Sequence, residues 1–187
     1  MKFLKSLAIV LAVTAPAVRA DAQGQDQFAF GVSAGASIPS GQAADYHKTG
    51  WNAGLMWGIG SVDSPFGVRF DGMYTALGGK SSSTLVSPQG DAKLTSLSGN
   101  FLFKTIGGDT RLYVVGGAGG FWYNPDASGT EAKSDFALNA GVGLWLPGIN
   151  GFVEARWFNF YRALPNAAGE SGKRSLRVYP ITFGFMI

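Results

Sequence analysis

Residues Trp51 to Gly60 read WNAGLMWGIG. In an extended chain, Trp51, Ala53, Leu55, Trp57 and Ile59 fall on one side, and Asn52, Gly54, Met56, Gly58 and Gly60 on the other. Large apolar residues thus alternate with small or polar ones at period two, which defines a strand with two unlike faces. Six further stretches follow the same rule, and a seventh reads as a strand without it. Gln27–Ile38 sets Phe28, Phe30, Val32 and Ile38 against Ser33, Gly35 and Ser37. Phe66–Leu77 sets Phe66, Val68, Phe70 and Tyr74 against Arg69, Asp71, Met73 and Thr75. Asp91–Phe103 sets Leu97, Phe101 and Phe103 against Ser96, Ser98 and Asn100. Asp135–Leu146 sets Phe136, Leu138, Val142 and Leu144 against Asn139, Gly141 and Gly143. Gly151–Tyr161 sets Val153, Ala155 and Trp157 against Glu154 and Arg156. Ser175–Ile187 carries Tyr179, Ile181, Phe183, Phe185 and Ile187 on one face. Arg111–Tyr123 is apolar or Gly on both faces, and its orientation stays open. No amphipathic helical period survives beyond a turn.

Composition narrows the class. The chain has 187 residues, 46% hydrophobic and 14% charged, with 28 Gly and no Cys. Low charge and abundant aromatics exclude disorder. The missing Cys excludes disulfides, thiol catalysis and Cys-ligated metal. The formal charge of +3 comes from Lys2, Lys5 and Arg19. Without those the balance is zero, and no basic stripe points to nucleic acid. Residues 1–20, MKFLKSLAIVLAVTAPAVRA, combine a basic start, a short apolar run and small residues before a cut after Ala20 or Ala22. That is an export signal, too short to span a bilayer as a helix. A short segment, 21–27, is expected to lead into a barrel over 28–187.

The connections between strands alternate in length. Pro39–Gly50, Gly78–Gly90, Asn124–Ser134 and Arg162–Arg174 are long and polar; Ser61–Pro65, Lys104–Thr110 and Pro147–Asn150 are short. An up-and-down meander gathers all long connections at one end. Long loops outside and short turns in the periplasm are the pattern of outer-membrane barrels. A soluble lipid carrier would show the same alternation turned inside out. Three features favour the membrane form. The small residues of the opposite face suit the narrow bore of eight strands. Trp51, Phe66, Tyr74, Trp157 and Tyr179 put amphipathic rings near strand ends, as interfacial girdles require. Strands of this length can cross hydrocarbon when tilted. The expected fold is all-β, an eight-stranded antiparallel up-and-down transmembrane barrel, its bore filled by small or hydrophilic residues.

Several stretches carry a resemblance. RLYVVGGAGG from Arg111, DFALNAGVG from Asp135, FVEARW from Phe152 and YPITFGF from Tyr179 resemble the fifth to eighth strands of the outer-membrane β-barrel domain family. That family includes small barrels similar to the outer-membrane protein A transmembrane domain and the opacity-type surface proteins. The resemblance covers about residues 28–187. It implies a bacterial outer-membrane location, contact with membrane lipid and lipopolysaccharide, and assembly through the C-terminal strand by the barrel assembly machinery. The family's last strand usually ends in an aromatic residue; this chain ends in Ile187.

Charges inside strands locate the candidate sites. Arg69 and Asp71 share the inward face of the third strand, and Glu154 and Arg156 that of the seventh. In a ring of eight these strands lie opposite, so Arg69 is expected near Glu154 and Asp71 near Arg156, as a plug or a narrow gate. Lys93, Arg162, Lys173, Arg174 and Arg177 lie towards the long connections, where phosphates of lipopolysaccharide would sit. His47, the only His, stands in the first long connection without a nucleophile and acid beside it in sequence, which argues against catalysis and against a His-rich metal site. Gly116–Gly120 lacks the Lys-Ser/Thr pair of a phosphate loop. No cofactor is expected. The reading is an integral outer-membrane protein with a structural or surface-interaction role through its loops, towards an unknown extracellular ligand, and neither an enzyme nor a wide pore. A lipid A-modifying enzyme and a soluble lipid-binding barrel are the alternatives.

Overall fold

The computed structural model describes residues 27–60, 64–80, 90–105, 111–125, 133–161 and 175–186. The export signal, residues 21–26 and Ile187 fall outside them. Eight strands follow in order: β1 (Gln27–Ser40), β2 (Gly50–Gly60), β3 (Phe66–Leu77), β4 (Ala92–Lys104), β5 (Arg111–Pro125), β6 (Lys133–Leu146), β7 (Gly151–Phe160) and β8 (Leu176–Met186). Each pairs antiparallel with the next, and β8 returns to β1 through pairs such as Val32–Phe185 and Ile38–Tyr179. The sheet is a closed barrel with no free edge among these strands. Closure satisfies backbone donors and acceptors strand to strand, the condition for a β structure to sit in lipid. The expected all-β, eight-stranded meander is the observed one.

Period-two alternation sorts the side chains as the sequence implies. Phe30, Leu55, Phe70, Phe101, Val114, Val142, Val153 and Phe183, one from each strand, project outward and are exposed. Rows of rings run across neighbouring strands: Phe30, Trp57 and Phe70 are register partners, with centroids 6.3 and 5.7 Å apart. β5 resolves as well. Tyr113, Val115, Phe121 and Tyr123 are buried, while Leu112, Val114 and Trp122 face out.

The bore corrects one expectation. Small and hydrophilic residues fill only its middle. At the long-connection end, Leu77, Leu94, Phe121, Tyr123, Phe158, Phe160, Leu176 and Val178 form an apolar layer. Phe160 stacks on Phe158 and meets Phe121 edge-on. All belong to the inward parity of their strands. Apolar packing inside holds the strand ends together where the barrel gives way to the connections.

A short helix, α1 (Gln42–Tyr46), seals this end by burying Ala43 against the apolar layer. No helical period is visible there, because five residues are too few to show one. Gly41 turns the chain into α1 with φ at 56°, a left-handed conformation open to Gly. The first connection is then tied to the second. Lys48 N–H donates to Gly78 O (2.7 Å), Lys80 N–H to Tyr46 O (2.9 Å), and His47 bridges Gly79.

The glycines of the bore have a spatial logic. Register places Gly143 beside Tyr113, Gly184 beside Phe152, and Gly141 beside Arg156. A Cβ on any of these would run into the side chain or backbone of that larger partner. Each large inward residue thus lies over a neighbour with no side chain, which is how a narrow bore accepts rings and guanidinium groups. Replacing Gly143 with Ala is therefore expected to displace the Tyr113 ring and destabilise the barrel by about 1–3 kcal/mol. Urea unfolding in lipid vesicles, followed by the different gel mobility of folded and boiled protein, measures this. An unchanged midpoint would contradict the packing described.

Candidate functional site

Arg69 and Asp71 on β3, and Glu154 and Arg156 on β7, meet at the centre of the bore. Arg69 Nη2 donates to Glu154 Oε2 at 2.8 Å and to Oε1 at 3.0 Å. Arg156 Nη2 donates to Asp71 Oδ2 at 2.5 Å, and Arg156 Nε to Glu154 Oε1. Arg69 Nε stands 2.9 Å from Asp71 Oδ1, an ion pair outside hydrogen-bonding geometry. Each cation thus touches both anions. Their exposures are 4, 7, 2 and 7% for Arg69, Asp71, Glu154 and Arg156. Formal charge sums to zero, so no net charge is taken out of water.

Neighbouring strands make room for this tetrad and finish its hydrogen bonds. On one side of each the register partner is short: Gly58 beside Arg69, Ser98 beside Asp71, Gly143 beside Glu154 and Gly141 beside Arg156. Tyr113 donates its hydroxyl to Glu154 Oε2 at 2.7 Å. Asn100 donates to Asp71 Oδ2 at 2.9 Å. Guanidinium faces lie 6.0 Å from the ring centres of Tyr113 and Phe152 for Arg69, and 5.9 Å from Phe158 for Arg156, close enough for cation–π attraction. The alternation in β3 and β7 identified the four charged residues. Tyr113 was hidden by the featureless apolar run of β5, and its pairing with Gly143 depends on register.

The remaining candidates do not converge. Trp51, Tyr74 and Tyr179 lie on the outer wall towards the long-connection end, the first two with ring centres 5.4 Å apart. Phe66 packs on Phe103 (5.5 Å) at the short-turn end, and Trp157 lies between these levels, paired with Ala140. Lys93 and Arg177 both face outward near the long connections. They sit on β4 and β8, opposite walls of the barrel, and so form no shared cluster. Arg162, Lys173 and Arg174 fall outside the described residues. His47 is 1% exposed, and neither ring nitrogen has a hydrogen-bond partner among the described residues. No group of three or more potential metal ligands occurs among the described residues.

Comparison with solved structures places this architecture in a class. Neisserial surface protein A shares it at a TM-score of 0.59 and 14% identity, over 86% of this chain and 96% of that one. The outer membrane enzyme PagL shares it at 0.51 and 15%, over 84% and 98%. The fold is therefore that of the small eight-stranded outer-membrane barrels. At these identities the likeness concerns the fold alone. No protein-family model and no curated protein sequence matches the chain.

Two outcomes follow from this site. Glu154→Gln leaves Arg69 and Arg156, both buried, facing a single carboxylate. It is expected to cost about 3–5 kcal/mol, read as a lowered urea midpoint in lipid vesicles. The His47 imidazole is held below its ordinary value by burial, against the opposing pull of Asp91. The unfolded chain then binds a proton more readily than the folded one. The stability contributed by neutral His47 is present above about pH 6.5 and is lost as pH falls through that value towards the lowered native one. Thermal unfolding of the wild type should worsen relative to His47→Gln on going from about pH 7.5 to about pH 5. Parallel curves for the two proteins would contradict it.

Proposed function

We propose that the protein is an integral outer-membrane barrel with a structural or surface-interaction role, working through its long connections and neither as an enzyme nor as a wide pore. The observation that carries this reading is the outer wall. All eight strands expose large apolar side chains around the whole circumference, far beyond the isolated apolar patch of a water-soluble monomer. A lipid carrier would turn this surface inward.

The bore supports the rest. The charged tetrad and the apolar layer above it fill the middle and the long-connection end of the barrel with paired and packed side chains. Eight strands leave no aqueous channel, and solute passage would require dismantling both layers. The long connections, at the end that such barrels turn to the exterior, are then the parts able to meet other molecules. Lys93 and Arg177, one on each side, would face lipopolysaccharide phosphates from the outer wall. The last strand, with Tyr179, Ile181, Phe183 and Phe185 outward, would present the face that the assembly machinery engages. His47, in the first connection, is buried and has no hydrogen-bonded partner among the described residues, a poor position for a general base.

Cell fractionation with protease treatment of intact cells tests the proposal. The chain should sediment with outer membranes and be cut in its long connections from outside. His47→Ala should leave lipid A acyl composition unchanged. Recovery in the soluble periplasm would overturn the membrane reading, and altered lipid A would favour an enzyme.

A further inference from the structure

The short-turn end of the bore differs from the sealed opposite end. Below the tetrad lies a cavity of about 340 Å³, in the lower range of small-molecule sites. Tyr113 and Phe152 form its inner wall, and Leu102, Trp145 and Met186 continue an apolar lining. The glycines here differ from those beside Tyr113 and Arg156. A Cβ on Gly60 would meet nothing nearer than 3.4 Å, and one on Gly67 nothing nearer than 3.5 Å, which are ordinary contact distances. Gly141 and Gly143 make room for large neighbours; Gly60 and Gly67 border the cavity itself.

One polar group faces this space from the tetrad. Arg69 is 4% exposed and lines the cavity. Its Nη2 serves Glu154, and its Nε stands against Asp71. A guanidinium carries five N–H groups, and no acceptor among the described residues takes those of Nη1. They call for an acceptor oxygen. The charge of Arg69, by contrast, is already met, because the tetrad sums to zero. An ionic ligand beside it would bring net charge into the bore. A neutral molecule with one carbonyl oxygen completes the hydrogen bonds of the guanidinium and leaves that balance intact. The rings of Tyr113, Trp145 and Phe152 suit an aromatic body.

We propose that this cavity binds a small uncharged aromatic molecule carrying one carbonyl oxygen, with that oxygen accepting from Arg69 Nη1 and the ring against Tyr113, Trp145 and Phe152. Lys104 and Arg111 also line the cavity, but a neutral ligand makes no demand on how their charges are met. Binding requires no opening of the tetrad and is independent of whatever partner the long connections meet.

The test uses the full chain in lipid nanodiscs with its Met methyl groups labelled for NMR. Met186 lines the cavity, whereas Met73 packs against the apolar layer on the other side of the tetrad. Each signal is identified by its loss in the corresponding Met→Leu variant. Titration with butyrophenone should shift the Met186 methyl saturably and leave Met73 in place. Butylbenzene, which has the same shape without the oxygen, should bind about tenfold more weakly at equal concentration in the lipid. The anion 4-phenylbutanoate should also bind at least about tenfold more weakly. Gly67→Leu, which puts a side chain into the cavity, should remove the saturable shift while the barrel stays heat-modifiable on gels. Absence of a saturable shift, or a Met73 shift as large as that of Met186, would overturn the proposal. Equal affinity for butylbenzene, for 4-phenylbutanoate or in folded Gly67→Leu would overturn it too. The comparisons of ligands on the wild type stand without any variant.

Discussion

Glu154 is held between two guanidinium groups, and the rest of the bore is arranged around that fact. An ionised carboxylate inside a barrel has no bulk water to stabilise it, so it persists only if every lone pair finds a donor. Arg69, Arg156 and Tyr113 supply those donors from β3, β7 and β5. Asp71 closes the set by compensating the second arginine and taking a further bond from Asn100. β7 and three strands that are not its neighbours, β3, β4 and β5, are thereby fixed relative to one another through the middle of the molecule. The ladder joins only neighbours; the tetrad joins opposite walls.

That requirement propagates into composition. Guanidinium groups and rings reaching across a narrow bore need unoccupied space beside them, and Gly58, Gly141, Gly143 and Gly184 provide it at register-matched positions. The abundance of glycine is a packing property, distinct from the turn-forming role of Gly41. Outside, the same alternation leaves bulky apolar groups on every strand. One period-two pattern thus specifies two surfaces with opposite chemistry, and closure decides which is inner.

Much of this was legible in the chain before any coordinates. The strands and their connections can be read because alternation persists over ten or more residues, and the observed strand ends differ from the expected ones by only a residue or two. The opposed placement of Arg69, Asp71, Glu154 and Arg156 followed from parity and from counting strands around a ring. Three things escaped. β5 alternates Val and Tyr with Val and Gly, so neither face is polar enough to betray the inside. The apolar layer of Phe121, Tyr123, Phe158 and Phe160 shares the inward parity of polar residues lower on the same or adjacent strands, and only position along the barrel separates the two levels. Helix α1 is a single turn held by tertiary packing of Ala43, and its own residues carry no period.

The bore is built in two storeys of unlike polarity, and this has an electrical consequence. Arg69 lines the hollow of the bore below the tetrad, and packed rings lie on the tetrad's other side. The dielectric step therefore lies near one extremity of the molecule and not at its middle. The buried tetrad lies, electrostatically, nearer the short-turn side, and any potential applied across the barrel would fall mainly over the greasy storey, whose packed cluster holds no ionisable side chain but the Tyr123 phenol among the described residues.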